Sequence, residues 1–174
     1  MKKFLKSMLI AGLILVPSVC SAASMGVLVG NVKALSNSKN DMNRMYAYGD
    51  IVAKAAGCDR IDNDTVLKVV QECIITNGIP TNRPLSAAEL QVIGKKLNAD
   101  YVGYSFFLPS RMKVPGLFHT TPVYSGTYYF YVVNVKTGEV EFTDSSFEEG
   151  NPKKISIKME DFYKKVAKDM PVLK

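Results

Sequence analysis

Hydrophobic and polar positions change period along this chain, and these changes predict where strands and helices lie. Segment 25–32 is a short, β-branched apolar run, which is typical of a central strand buried on both faces. Segments 41–57 and 62–77 carry apolar residues at helical spacing and end at or beside a glycine. They therefore predict two helices after the first strand.

A serine provides the clearest helix start in the chain. Ser86 stands three residues before Glu89, which is the spacing of a capping box. The helix that follows is predicted to bury one apolar stripe, formed by Leu90, Ile93, Gly94 and Leu97. A strand over 101–108 is predicted directly after it.

The last third of the chain predicts a hairpin and a helix. The run Thr127 to Val135 is rich in aromatic and β-branched residues, and Gly138 supplies the turn into a strand at Val140 to Thr143. A final helix is predicted from Met159 to Met170. The whole pattern predicts one α/β (α+β) domain over residues 24–174, with about four strands in a mixed or antiparallel sheet and helices mainly on one face.

Residues 1–23 have the three parts of a secretory signal peptide. Lysines open it, an apolar run from Met8 to Val16 follows, and Ser21, Ala22 and Ala23 offer a cleavage site for the peptidase. The apolar run is too short for a stable membrane span. We therefore expect the chain to be exported to the periplasm or the extracellular space.

Export would also change the charge of the chain. The sequence holds 22 basic and 16 acidic residues, and removal of Lys2, Lys3 and Lys6 leaves 19 basic residues and a net charge of +3. The remaining lysine pairs are scattered beside acidic residues, unlike the basic stripe of a nucleic-acid-binding surface. No nucleic-acid partner is predicted.

The cysteines bear on anchoring and on redox state. Cys20 lies where a lipoprotein would carry its acylated cysteine, but Val19 fits poorly before it, so cleavage that removes Cys20 is favoured over a lipid-anchored form. Cleavage leaves Cys58 and Cys73, and an even number of cysteines in an oxidising compartment favours a disulfide between them. The alternative is two buried free thiols.

Residues that could carry catalysis or bind a metal are sparse. His119 is the only histidine, and it falls in a loop flanked by proline and glycine. Asp62, Asn63 and Asp64 resemble the start of a calcium loop, but Val66 replaces a ligand, and helix capping explains these residues. We predict no catalytic residue, no cofactor and no metal, and hence a protein that is not an enzyme.

The connection 109–123 is long, and it carries apolar residues among its prolines, namely Met112, Val114, Leu117 and Phe118. Connections of this length are commonly functional. One interpretation is that these side chains fold back over the core. The other is that they contact another protein or a membrane.

Four consecutive aromatic residues occupy positions 128–131. Alternation along a strand sends Tyr129 and Tyr131 to one face of the sheet and Tyr128 and Phe130 to the other. One face must pack against the helices, and the other either lies under a loop or forms a contact surface. The tyrosines Tyr128, Tyr129 and Tyr131 are therefore candidates for partner binding, including self-association into a homo-oligomer.

Two segments carry a resemblance to a known superfamily. They are Glu89 to Val102, of the form E-L-x-x-I-G-x-x-L-x-A-D-Y, and Val133 to Val140, which is close to V-D-V-K-T-G-E-V with Asn134 in place of the aspartate. The chain resembles the superfamily that joins the curli-secretion lipoprotein (CsgG), the outer-membrane lipoprotein activators of penicillin-binding proteins (LpoB) and the amino-terminal domain of TolB.

The resemblance implies a small envelope protein that works through protein-protein contacts, with no catalytic residues to carry over. It also implies a further strand near 59–64, which the hydrophobic pattern does not reveal. We therefore expect an interaction or assembly factor with an envelope protein as its partner. The alternative is a periplasmic binding module for a small apolar or glycan ligand, which needs a pocket beside Tyr104, Tyr129 and Tyr131.

Overall fold

The computed structural model of the chain describes residues 22–30, 39–112, 123–150 and 152–174. Its elements follow one another as β1 (Ser24–Gly30), α1 (Lys39–Ala55), β2 (Asp59–Arg60), α2 (Asn63–Asn77), α3 (Ala87–Leu97), β3 (Tyr101–Met112), β4 (Val123–Asn134), β5 (Val140–Gly150) and α4 (Pro152–Asp169). No helix among the described residues is long and apolar enough to cross a lipid bilayer. Residues 1–21 of the predicted signal peptide, which include Cys20, lie outside the described residues.

The strands form one mixed sheet in the order β2-β1-β3-β4-β5. β1 runs parallel to β2 and β3, whereas β3, β4 and β5 form an antiparallel meander. The predicted α/β class and mixed sheet are confirmed. The sheet has five strands instead of about four, because the two residues of β2 are too few to leave a hydrophobic period in the sequence.

The prediction that the helices lie mainly on one face of the sheet is wrong. α1 and α4 pack on one face, around Met25, Val27 and Phe130. α2 and α3 pack on the other face, around Leu28 and Val102. Because β1 is apolar on both faces, its alternate residues contribute to two separate cores, and the fold has three layers.

β3 and β4 are longer than the sequence predicts, and all twelve residues of each strand are paired with the other. Pro109, which the hydrophobic pattern places in a loop, lies within β3. Ser125 donates its hydroxyl to the carbonyl of Ser110 at 2.8 Å and ties the far ends of the two strands together. Residues 109–112 and 123, predicted to belong to a connection, are therefore strand residues.

β5 and α4 also extend beyond their predicted bounds. β5 runs to Gly150 instead of ending at Thr143, because it stays paired with the long β4. α4 begins at Pro152, where the fixed φ of proline suits the first helical position. The buried stripe of α4 consists of Met159, Phe162, Tyr163 and Val166, and Met170, just after the helix, is also buried. Inside this core the Tyr163 hydroxyl donates a hydrogen bond to Ser105 Oγ.

The predicted cap of α3 and the predicted turn between β4 and β5 are both present. Ser86 Oγ accepts a hydrogen bond from the Glu89 N–H at 3.3 Å, and Glu89 Oε2 accepts one from the Ser86 N–H at 2.7 Å. Asn98, with a left-handed backbone, ends the helix before β3. Gly138 has the positive φ, 79°, that the hairpin turn requires.

The predicted disulfide is wrong, since Cys58 and Cys73 are both free and buried. Cys58 belongs to the core under α1 and α4, whereas Cys73 belongs to the core under α2 and α3. The sheet lies between these two cores, and a disulfide needs Cα atoms within about 7 Å of each other. Burial raises the pKa of both thiols, which keeps them protonated and poorly reactive.

α3 approaches the sheet closely at Gly94, the glycine of the E-L-x-x-I-G segment. A Cβ atom at this position would overlap Val135 Cγ2 and lie 2.8 Å from Val102 Cγ2. Both valines are buried in the core and cannot turn away into solvent. The absence of a side chain at Gly94 therefore sets the distance between α3 and the sheet.

We predict that Gly94→Ala destabilises the fold by about 1–3 kcal/mol, because the added methyl group must push α3 away from the two valines. Alanine is a better helix former than glycine by about 1 kcal/mol, so helix propensity alone would make the variant more stable. A loss of stability therefore indicates the steric overlap. The free energy of unfolding in denaturant measures it. Val135→Ala removes the overlapping methyl groups, so the double variant should lose less stability than the sum of the single ones. Additive losses would contradict the close approach.

We predict that Cys58 and Cys73 both react with iodoacetamide in denaturant without any reductant, because both are free thiols. In the folded chain both should react far more slowly, since each is buried. Peptide mapping of the alkylated chain measures the two sites separately. A peptide pair joined through Cys58 and Cys73 in the unreduced protein would show that the disulfide forms after all.

Candidate functional site

On the face where α2 and α3 pack, no described helix covers the far ends of β3, β4 and β5. These strands contribute two rows of paired residues to this region, Leu108-Thr127-Phe147 and Phe106-Tyr129-Ser145. We call these six residues the open face. Leu108 is 47% exposed and Phe147 is 57% exposed, so the open face presents large apolar side chains to solvent.

The open face exists because the covering helices are shorter than the strands. The 12 residues of β3 extend about 40 Å. The 15 residues of α2 extend about 22 Å, and the 11 residues of α3 about 16 Å. The hydrophobic cluster under these two helices accordingly draws on β1, β3 and β4, and on no residue of β5.

Aromatic side chains form a continuous run from the covered core to the open face. The ring of Tyr104 stacks on Phe106 at a centroid distance of 5.4 Å, and Phe106 stacks on Tyr129 at 4.8 Å. Tyr131 meets Tyr104 edge to face at 5.4 Å. Because such pairs prefer a few defined geometries, each ring restricts the orientation of the next. The open face is therefore held in one shape from its covered side.

The backbone of Leu85 holds the covered end of this aromatic run. Its carbonyl accepts a hydrogen bond from the Tyr131 hydroxyl, and its N–H donates to the Tyr104 hydroxyl at 3.3 Å. Burial raises the pKa of both tyrosines, so both hydroxyls stay protonated. Each hydroxyl thus keeps a partner although it is covered, as buried polar groups require.

Glu89 fixes the segment that carries Leu85. Its carboxylate accepts hydrogen bonds from Ser86 and from both terminal nitrogens of Arg83, the latter at 2.7 and 3.0 Å. The Arg83 guanidinium and the Ser86 hydrogen bonds lower the pKa of Glu89 to about 2. The carboxylate is therefore ionised at neutral pH, and it connects the first turn of α3 to the segment that bonds the tyrosines.

The structure places the predicted tyrosines in different settings. Tyr129 lies on the open face, and Tyr131 lies half-buried beside it. The choice of Tyr128 as a partner-binding residue is wrong, since it is 1% exposed and stacks on Phe162 of α4 at 5.7 Å. Alternation turns Tyr128 to the α4 face, as predicted, and that face is covered.

The other predicted contact residues lie at or beyond the limit of the described chain. Met112 is the last residue of β3, and nothing is described of its side chain. Val114, Leu117 and Phe118 lie outside the described residues, as does His119. A role of these residues in binding a protein or a membrane stays a prediction.

Sequence reasoning missed Phe106, Leu108 and Phe147 as site residues. Phe147 follows the polar run Asp144 to Ser146, which reads as the end of a strand. Alternation from Tyr104 could have found the other two, because every second residue of β3 points to the same face. Their exposure depends on the length of the covering helices, which the alternating pattern of the strand does not reveal.

Two cavities lined by described residues do not supply the pocket beside Tyr104, Tyr129 and Tyr131 that the ligand-binding alternative requires. One of about 160 Å³ lies beside Tyr104, between Leu28 and Ile79. Ligand pockets typically have roughly 300–1,000 Å³. A groove of about 810 Å³ lies at the opposite end of the sheet, near Asp100 and Lys136. Its lining includes none of the three tyrosines that the ligand-binding alternative requires.

Acidic residues near the start of α2 serve as a helix cap. Asp62 Oδ1 accepts a hydrogen bond from the Thr65 N–H at 2.8 Å, so the capping interpretation is confirmed. Within the described residues, no three His, Cys, Asp or Glu side chains are grouped so that they could hold a metal ion.

No protein-family model and no curated protein matches the chain. Similar solved structures include lipoprotein GNA1162 from Neisseria meningitidis, with 16% identity and a TM-score of 0.46 over 84% of this chain and 99% of that one. The LpoB C-terminal domain from Escherichia coli has 15% identity and a TM-score of 0.40 over 75% and 85%. The PelC dodecamer from Paraburkholderia phytofirmans has 11% identity and a TM-score of 0.44 over 88% and 90%. LpoB is also among the families that the sequence motifs resemble.

We predict that Glu89→Gln removes an acid-sensitive contribution to stability. Folding lowers the pKa of Glu89 from 4.5 to about 2, so the ionised carboxylate stabilises the fold above pH 4.5, and this contribution is lost as the pH falls towards 2. Over that range the free energy of unfolding, measured in urea at constant salt, should fall more steeply for the parent than for the variant. Glu72→Gln, which breaks an exposed ion pair with Lys96, is the control and should keep most of the parent's slope. Parallel curves for the parent and Glu89→Gln would refute the prediction.

Proposed function

We propose that this chain is a non-enzymatic protein of the bacterial envelope that acts as an interaction or assembly factor and binds an envelope protein through its open face. The open face is the observation that carries the proposal. It presents exposed apolar side chains on a rigid sheet surface, and such patches commonly mark the sites that protein partners cover.

The composition of the open face resembles that of a protein interface. The stacked pair of Phe106 and Tyr129 lies inside it, with the exposed Phe147 beside them. Thr127 and Ser145 contribute hydroxyl groups among the apolar residues. Aromatic residues are enriched in interfaces because they bring a large contact area with few rotatable bonds.

A binding module for a small apolar or glycan ligand is supported less well. Ligand sites enclose most of the surface of the bound molecule. The open face is a sheet surface without walls among the described residues, and the cavity at Tyr104 has only about 160 Å³. A protein partner, which covers a surface without being enclosed, fits the geometry better.

The envelope location rests on the signal-peptide pattern of residues 1–23. Cleavage near Ala22 would release the chain, and an acylated Cys20 would tether it instead; we propose the released form. In both forms the partner can reach the open face, because β1 begins beside Tyr101 at one end of β3, whereas Leu108 lies about 23 Å further along. The N-terminal end of the described chain and the open face thus lie at different ends of the sheet.

We predict that a photo-crosslinking amino acid at position 147, or separately at 108, forms a discrete adduct with one envelope protein in intact cells. The same amino acid at Ile75 is the matched control, because Ile75 is an apolar residue of α2 that is 83% exposed and lies outside the open face. Denaturing gels and mass spectrometry of the adducts measure the result. Equal adduct patterns at all three positions, or no adduct, would contradict the proposal.

A second variant separates binding from folding in this experiment. Leu108→Ser in the chain that carries the crosslinker at position 147 should reduce the adduct several-fold. It should leave the free energy of unfolding within about 0.5 kcal/mol of the value without the substitution, since Leu108 is half-exposed. An adduct with the mass of a second copy would identify the partner as the chain itself.

A further inference from the structure

We propose that the outer edge of β5 binds an extended basic segment of the partner, which adds a strand to the sheet. This inference rests on the proposed function and states how the partner is held. Extended segments bind exposed sheet edges through main-chain hydrogen bonds, and their alternate side chains provide specificity.

The backbone of β5 offers hydrogen-bonding groups on its outer side. β5 ends the sheet, with β4 on one side and no described strand on the other. Ser145 donates its backbone N–H to Asp144 Oδ1 at 2.7 Å, so this N–H points away from β4, and an added strand would replace Asp144 as its acceptor. Every second residue of an antiparallel strand turns its N–H and C=O towards the neighbouring strand. Thr143 and Phe147 therefore share the outward direction of Ser145.

The edge of β5 is protected by acidic residues and lacks the other usual protections over most of its length. β5 contains no proline, lysine or arginine. Its register with β4 shifts near Val140, but it is continuous over 142–150. Lys158 Nζ donates to the carbonyl of Glu149 at 3.2 Å and thereby occupies the last part of the edge. The available stretch is 143–147.

The charges of β5 favour a basic occupant. All its charged residues are acidic, although the chain has a net positive charge; they are Glu141, Asp144, Glu148 and Glu149. Asp144 pairs with Lys165 and Glu148 pairs with Lys158, each at 2.7 Å. Glu141 and Glu149 are exposed, one beyond each end of the available stretch. Both ends of the edge therefore attract a cationic side chain.

The same carboxylates disfavour a second copy of this chain at the edge. Two antiparallel β5 strands centred on Ser145 would place Glu141 of each copy opposite Glu149 of the other. Like charges directly opposite each other destabilise a strand pair. A segment without carboxylates at those positions avoids this repulsion, and the exposed acidic residues attract positive charge, so the occupant we infer is a basic segment of a different protein.

The two faces of the sheet define the side-chain pattern of that segment. Thr143, Ser145 and Phe147 point to the side of the open face, so residues beside them extend an apolar surface. The residues between them lie on the α4 side, near Asp144 and Glu148, where a basic side chain would share a carboxylate with Lys165 or Lys158. The recognised segment therefore alternates apolar and basic residues.

A peptide of alternating lysine and valine, about ten residues long with blocked ends, is the probe, and the exported chain is the target. Binding should shift the amide resonances of Thr143, Ser145 and Phe147 and slow their hydrogen exchange, with no change at β2 on the opposite edge. A peptide of alternating glutamate and valine should bind at least about tenfold more weakly. Equal affinity for the two peptides would overturn the inference.

N-methylation of the peptide tests strand addition without altering the protein. Only every second peptide residue can donate its N–H to β5. Methylation of one alternate set should therefore abolish binding, and methylation of the other set should preserve it. Equal binding of the two methylated peptides would overturn the inference.

Variants of the chain test the charge contribution. Glu141→Gln with Glu149→Gln should weaken binding about fivefold at low salt. Asp59→Asn with Asp64→Asn makes the same change of charge in and beside β2, and it should leave the affinity within about twofold. Equal weakening by the two pairs would reveal general attraction to the chain and overturn the inference.

The outcomes for the edge and for the open face can be told apart. Failure of the lysine and valine peptide to bind at about 1 mM would overturn the edge inference, whatever the crosslinking result. In that case adducts from positions 147 and 108 would leave the proposed function standing. The absence of adducts would remove the proposed function itself and the inference that rests on it.

Discussion

An extended strand advances about 3.3 Å per residue and a helix only 1.5 Å, and this difference shapes the surface on which the proposed function depends. The fully paired β3 and β4 form a ladder of about 40 Å. α2 and α3 are too short to cover it, so neither helix reaches one end of their face. α4, with 18 residues and about 27 Å, extends further on the opposite face and packs against β4 and β5. The exposure is therefore one-sided.

An exposed apolar surface needs support from the covered half of the sheet, and three residues in α3 and in the segment before it contribute to that support. Gly94 lets α3 lie close to the sheet. Glu89 fixes the preceding segment through Ser86 and Arg83. Leu85, in that segment, bonds the two tyrosine hydroxyls from which the aromatic run extends to the open face. The start of the segment Glu89 to Val102 thus contributes to the shape of the open face.

The features that the sequence predicts correctly depend on few neighbouring residues. The Ser86 cap needs only Glu89, and the hairpin turn needs only Gly138. The errors concern relations between distant elements. The even number of cysteines predicted a disulfide, but their number does not reveal that α1 and α2 carry the chain to opposite faces of the sheet. The apolar character of β1 on both faces already implied helices on both sides of the sheet. The prediction of helices mainly on one face did not use this observation.

The open face illustrates the same limit, because strand length is set by the partner strand. Phe147 continues β5 only because β4 is long enough to pair with it. A long sheet edge beside an apolar surface is an aggregation hazard unless it is protected. In this chain the protection is negative charge: lysines of α4 neutralise Asp144 and Glu148, whereas Glu141 and Glu149 remain exposed. Charge of this kind repels a second copy and attracts a strand of opposite sign. Protection against self-pairing and selection of a basic partner would therefore depend on the same carboxylates.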